Sequence, residues 1–377
     1  MRVTRLMMGF TFGLIALAIA APLGNSQSPK IKSNYLFNPP CTRALAQGAV
    51  CEPANQHALD YMKKNNLTAV TVAQNVRTGA VVALAASDSA ELDVTSAVLP
   101  LSVVKLFLAA SWWQHKDVNE FLASDGSRVS VHEMIVSGSD NAGRLTATEL
   151  RKNMGADVII KELGRFGFPH QLSSKQFTRD EKFWAELNPG WRDRLTPVNS
   201  VHELTETTSD VEWAEVLSIG EAGFTVNALS ISRFLQAVGN GGVMLPPAAR
   251  QEVFKANEPA NVVKNHIPPQ RIVREFAALK LQTAMRDAVQ RGTAKAVARD
   301  LFDTGWSMGG KTGSSGPVGP QSDGWFAGLI FDTNQRARFT IATFVRHGGT
   351  GGGNAARLSA DLARYLIASV NDQAKTE

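Results

Sequence analysis

The stretch from Ser102 to Gln114 constrains the fold more than any other part of the chain. Val103, Val104, Leu106, Phe107, Leu108, Ala109, Ala110, Trp112 and Trp113 make a helix here apolar on nearly every side, and such a helix needs packing partners all round it. It is too short to cross a bilayer, so it belongs inside a domain. A chain of 377 residues, 44% of them apolar, can build the core of one large domain or two small ones. The polar exceptions in the first turn are Ser102 and Lys105, three residues apart and therefore on one face. An unpaired buried ammonium is costly, which is relieved if that turn opens into a cleft.

Two later tripeptides suit the same cleft. Ser139-Asp140-Asn141 follows a helical stretch from Val131 to Val136 and Gly138, which places it on a tight loop. Lys311-Thr312-Gly313 follows Gly309 and Gly310 and precedes an apolar strand at Trp325, which reads as a strand edge. Each motif alone is weak: about one Ser-x-x-Lys is expected by chance in a chain this long, and a bare Lys-Thr-Gly is usually a turn. In this order they form the parts of a serine acyltransferase that uses lysine as its base. Ser102 is the nucleophile, and Lys105, one turn on, takes its proton once burial and a second cation, Lys311, lower its pKa. Ser139 relays a proton between Lys105 and the leaving amine, and the Asn141 amide holds a substrate carbonyl. Lys311 and Thr312 bind a substrate carboxylate, while Gly313 lets an extended substrate approach as an added strand. The backbone N–H groups of Ser102 and Ser314 form an oxyanion hole, and Asp140 is read as holding its loop together. The competing reading makes Ser102 a helix N-cap and lets Lys105 reach out to solvent.

The flanking sequence predicts a mixed α+β domain whose sheet is assembled from both chain ends. A helix is expected over 53–66, then a hairpin of Thr68 to Val76 and Ala80 to Ala85 around Arg77-Thr78-Gly79. A second hairpin, Trp325 to Phe331 and Arg338 to Arg346, turns at Asp332-Thr333-Asn334-Gln335, and a helix from about Asn354 to Asn371 closes the chain. Arg2, Arg5, the uncharged run from Leu6 to Leu23 and Ala18-Ile19-Ala20 form an export signal over 1–23, either cleaved or kept as a single membrane anchor. The rest of the chain is then extracytoplasmic, in the periplasm or on the outer face of the membrane. Residues 24–52 read as a linker whose Cys41 and Cys51 are a disulfide candidate, 53–371 as the catalytic domain and 372–377 as a tail. The formal charge of +5 falls by two if Arg2 and Arg5 leave with the signal, and no basic run interleaved with aromatics argues for nucleic acid. His132-Glu133 and His202-Glu203 each lack the second histidine of a zinc helix, and Gly348 to Gly353 lacks the Lys-Ser/Thr of a phosphate loop. No metal and no cofactor is expected.

With these residues in view, the chain resembles the transpeptidase domain of penicillin-binding proteins over roughly 53–371. Leu217-Ser218-Ile219-Gly220, the stretch from Ala228 to Pro247, Arg291-Gly292-Thr293-Ala294, and Trp325-Phe326-Ala327-Gly328 look like that family's landmarks in the same order. The resemblance implies a five-stranded antiparallel sheet with helices on its faces and a mainly helical subdomain, the active site lying between sheet and subdomain. It also implies acyl transfer from peptidoglycan stem peptides ending in D-Ala-D-Ala, by a transpeptidase or carboxypeptidase with an acyl-Ser102 intermediate, and β-lactams as covalent inhibitors. Several features depart from the pattern. Only 37 positions separate Ser102 from Ser139, which predicts a trimmed helical subdomain, and Glu221-Ala222-Gly223 stands where many members have Gln-Gly. The runner-up is a serine β-lactamase, which Trp184-Ala185-Glu186-Leu187-Asn188 resembles in part, but Trp184 stands where the deacylating glutamate would fall and Glu186 matches only a second, less direct carboxylate. A third reading is a penicillin or muropeptide sensor, or a scaffold with little turnover.

Overall fold

The computed structural model describes residues 52–87, 89, 92, 96–155, 158–168, 218–221, 225–245, 268–316 and 319–373. The expected export signal, Cys41, Cys51, Trp184, Glu186 and His202 lie outside the described residues.

Helix α1 (Glu52–Lys64) leads into β1 (Thr68–Asn75) and β2 (Val81–Ala86), an antiparallel pair. Their turn closes because the Asn75 side chain accepts hydrogen bonds from the backbone N–H groups of Arg77 and Thr78, a local bond that Asn makes readily. A 3₁₀ turn (Leu101–Val103) then runs into α2 (Val104–His115). The middle of the chain continues with a small hairpin of β3 (Glu120–Leu122) and β4 (Arg128–Ser130), then α3 (Val131–Ser137), α4 (Asp140–Met154) and α5 (Val158–Arg165). After α6 (Ala228–Gly239) come the short pair β5 (Val243–Met244) and β6 (Gln270–Arg271), α7 (Glu275–Arg291) and α8 (Lys295–Asp300). The chain closes with β7 (Ser307–Ser314), β8 (Gly324–Phe331), β9 (Ala337–Arg346), a wide turn at Gly351–Ala355 and α9 (Ala356–Gln373).

The strands from both ends join in one antiparallel sheet ordered β2-β1-β9-β8-β7, as the two hairpins predict. Strand β7 lies at its edge, with Lys311 opposite Ala327 and Gly313 opposite Trp325. Along β8 the apolar side chains alternate between two cores. Trp325, Ala327, Leu329 and Phe331 join the core built around α2, α6 and α7, whereas Phe326 and Ile330 join the one under the terminal helices α1 and α9. Lys311 shares the first face, toward α2. A register slip of one residue would turn it away from Ser102.

Helix α2 is buried from Val104 to Trp113, as its all-round apolar sequence requires. Phe107 packs its ring 4.6 Å from Phe168 and 5.0 Å from Phe234, centroid to centroid. Burying a side chain of this size contributes about 1.5–3 kcal/mol. The helix starts two residues later than expected, because Leu101 takes a left-handed conformation (φ +51°) and Ser102 sits in the 3₁₀ turn. Ser102 therefore does not cap α2, whose first turn has no side-chain cap bond. Helix α9 likewise begins at Ala356, because Asn354 turns its amide back to donate to Gly348 O at 3.0 Å. Among the described residues no helix is long and apolar enough to cross a membrane.

Candidate active site

Three contacts fix the approach to Ser102. The Leu101 N–H donates to Gly220 O at 2.9 Å, and the indole N–H of Trp325 donates to Leu99 O at 2.8 Å. The sheet edge supplies the third: a Cβ placed on Gly313 would lie 3.1 Å from Leu101 Cβ and 3.3 Å from the Ser102 nitrogen, so glycine is what lets β7 come this close. Leu101 pays about 1–2 kcal/mol for its left-handed backbone, strain of the kind that collects at functional sites. Gly220, itself at φ +68°, leaves room for it; a Cβ there would sit 2.2 Å from Leu101 O. Gly220→Ala is therefore expected to lower stability by about 2 kcal/mol and to slow acylation of Ser102 by roughly 100-fold through misplacement. A melting curve and a penicillin-labelling time course read both effects.

Lys105 is fully buried, which rules out its reaching to solvent. Its Nζ donates to Ser102 Oγ at 2.8 Å and to Asp140 Oδ1 at 2.6 Å. Burial holds Lys105 below the ordinary lysine range, while the hydrogen bond and charge of Asp140 and the charge of Glu221 push it part of the way back. Glu221 follows Gly220, and its carboxylate accepts the Gly316 N–H at 2.7 Å, tying this loop to the one leaving β7.

The Ser139-Asp140-Asn141 tripeptide is arranged differently from the sequence expectation. Ser139 caps α4, its hydroxyl accepting the Ala142 N–H at 3.2 Å, and no hydrogen bond joins it to Lys105 or Lys311 among the described residues. Asn141 is exposed and its Oδ1 accepts from Arg144 at 2.6 Å, so its amide lies on the rim. Asp140, read from the sequence as a loop support, is the member of the three that contacts Lys105. The reason is the cap: with Ser139 bound to the helix end, Asp140 becomes the first helical residue and each following side chain turns about 100° further round.

Lys311 is buried beneath the α3–α4 loop, where a Cβ on Gly138 would lie 3.4 Å from its Nζ. Its amine donates to Thr312 O at 2.8 Å. Burial, reinforced by the charge of Lys105, lowers its pKa to about 7, and Asp140 opposes the shift. The sequence expectation made Lys311 the cation that depresses Lys105; the structure gives the carboxylate to Lys105 and leaves Lys311 as the amine that sheds its proton near neutrality. An unfolded lysine binds its proton up to about pH 10.4, so between pH 7 and that value the unfolded state binds more protons and stability rises with pH. Lys311→Met is expected to flatten that rise, as compared by denaturant midpoints at pH 7 and pH 10.

Thr312 Oγ1 donates to Thr293 Oγ1 at 2.9 Å, which ties the strand to the turn after α7. Ser314 ends β7, and its hydroxyl accepts the Gly351 N–H at 2.9 Å. The structure thus brings Ser102, Lys105, Asp140, Lys311 and Gly313 together, with Thr312 and Ser314 along the same edge. Sequence reasoning missed Asp140 at the lysine and Trp325 as the anchor of Leu99. Two buried ammonium groups in need of a counter-charge were the available signal for the first. His132 and Glu133, set aside as metal ligands, pair with Asp287 and Arg291 on α7.

Residues 69–364 match the family model of the penicillin binding protein transpeptidase domain. A search of the curated proteins found no match. Among solved structures, the D,D-transpeptidase domain of a peptidoglycan glycosyltransferase from Eggerthella lenta aligns at a TM-score of 0.61 and 18% identity, covering 85% of this chain and 82% of that one. A peptidoglycan glycosyltransferase from Burkholderia ambifaria aligns at 0.58 and 18%, covering 85% and 96%. Penicillin binding protein 3 from Mycobacterium tuberculosis, complexed with ampicillin, aligns at 0.57 and 18%, covering 85% and 76%. At this identity the structural likeness speaks for the fold: a five-stranded antiparallel sheet with helices. The family model covers most of the chain, its span runs from β1 into α9, and every element described around Ser102 lies within it, so this protein belongs to the penicillin-binding protein transpeptidase domain family.

Proposed function

We propose that this protein is an exported D,D-acyltransferase that cleaves the terminal D-Ala from peptidoglycan stem peptides through an acyl-Ser102 intermediate. The observation that carries the reading is Ser102 Oγ, 2.8 Å from the fully buried Lys105 amine and beside the edge of β7 that bears Lys311-Thr312-Gly313. The substrate's extended C-terminus lies along that edge, its carboxylate held by Lys311 and Thr312. Neutral Lys105 removes the Ser102 proton as Oγ bonds to the penultimate carbonyl carbon. The oxyanion faces the N–H groups of Ser102 and Ser314. Collapse breaks the peptide C–N bond, and the Lys105 proton reaches the departing D-Ala nitrogen by way of the Ser139 hydroxyl, once substrate draws it from its cap. An amine or water then takes the acyl group. The uncharged run from Leu6 to Leu23 supports export, which places the enzyme where this substrate lies.

The test presents purified protein with a pentapeptide ending in D-Ala-D-Ala, with and without a D-amino acid acceptor, and separately with a chromogenic cephalosporin. Release of D-Ala, or its exchange for the acceptor, is the expected result. Rapid cephalosporin turnover without D-Ala release would make the protein a β-lactamase, and stable penicillin labelling without release would make it a sensor. Either outcome overturns the proposal.

A further inference from the structure

Resting on that reading, we propose that Asp140 is the positioning residue that completes a Ser102-Lys105-Asp140 relay, balancing the charge that forms on Lys105 as Ser102 attacks. The geometry is direct. One buried amine bridges the nucleophile's hydroxyl at 2.8 Å and a carboxylate oxygen at 2.6 Å. When Ser102 loses its proton to Lys105, the O–H bond breaks, an N–H bond forms and a full positive charge appears on an amine with no solvent contact. A lone ammonium there would be strongly disfavoured; a carboxylate in hydrogen-bond contact offsets it, as an acid does for the imidazolium of a serine-histidine-acid triad. When the leaving amine later takes the proton, Lys105 is neutral again and Asp140 has kept its charge throughout.

The other groups facing Lys105 do not serve this purpose. Lys311, from β7, is a second amine: protonated it carries the same sign of charge and neutral it carries none, so it offsets nothing on Lys105. Glu221 acts on Lys105 through its charge alone, with its carboxylate engaged by the Gly316 N–H. Asn141, the tripeptide member expected to point inward, is held by Arg144 and brings no charge. Asp140 is also two-thirds exposed, so it is held at Lys105 by the pairing and not by packing, and replacing it leaves the core untouched.

The experiment follows acylation of Ser102 by a fluorescent penicillin between pH 5 and 9 for the wild type, Asp140→Asn and Asp140→Glu. Asp140→Asn is expected to acylate about 100-fold or more slowly at its optimum. The acid limb of its rate profile should move to lower pH, since the carboxylate that raises the lysine pKa is gone. Asp140→Glu, with room to reach from an exposed position, should recover at least tenfold over Asp140→Asn. An Asp140→Asn rate within threefold of wild type, an unmoved acid limb, or a Glu variant no faster than the Asn variant would each overturn the assignment while leaving the acyl-Ser102 reading intact. Absence of any adduct on the wild type would overturn both.

Discussion

Ser102→Ala yields a protein that binds but never bonds: no fluorescent penicillin stays attached after denaturation, and D-Ala release falls by at least about 10³-fold, because the substitution deletes the hydroxyl that Lys105 contacts at 2.8 Å. Fold stability should change by no more than about 1 kcal/mol, the net worth of the one hydrogen bond deleted. Gel fluorescence and a melting curve together check the result. Label retained on the alanine variant would show that Ser102 is not the nucleophile.

Lys105→Met carries the second large effect. The methionine keeps most of the volume of a buried side chain in the first turn of α2 while removing its basic nitrogen. Acylation should slow by about 10²–10⁴-fold, the usual contribution of a positioned base. The fold should be as stable or slightly more so, since an amine no longer has to be kept from water and its partner Asp140 is exposed enough to be solvated alone. Stopped-flow labelling measures the rate and urea unfolding the stability. A near-wild-type rate would show that Lys105 is a structural cation and that the base lies elsewhere, with Lys311 the first candidate since burial brings it to about 7.

Much of this arrangement is legible in the sequence. The all-round apolar character of α2 required burial, and two polar residues three apart required a cleft. Strand alternation in the two hairpins gave the sheet and its assembly from both chain ends. Lys311 in an edge strand followed from the glycines before it and the apolar strand after it. The tripeptide at 139–141 was harder, because pattern reading treats its three side chains as a unit whereas the structure separates them. Ser139 is consumed as a cap, Asp140 faces the lysine and Asn141 turns to Arg144; that division depends on the residue at which α4 starts, which is the least readable property of a helix in sequence. The same holds for Leu101, whose left-handed backbone delays α2 and frees Ser102 from capping it. Its cause is tertiary: the Gly220 carbonyl and the close approach of Gly313 hold it there.

The division of charge between the two lysines was also hidden, since it rests on which of them meets a carboxylate. Sequence placed both in one cleft; only the packing of α4 against α2 gives Asp140 to Lys105 and leaves Lys311 hydrogen-bonded to the backbone carbonyl of Thr312.

The proposed chemistry stands or falls with a covalent bond to Ser102. Its most direct test is peptide mapping by mass spectrometry after the wild-type protein has reacted with ampicillin and been digested with trypsin. The full mass of the antibiotic is expected on the peptide ending at Lys105, with fragmentation placing it on Ser102. An unmodified Ser102 peptide, or an adduct on any other residue, would contradict it.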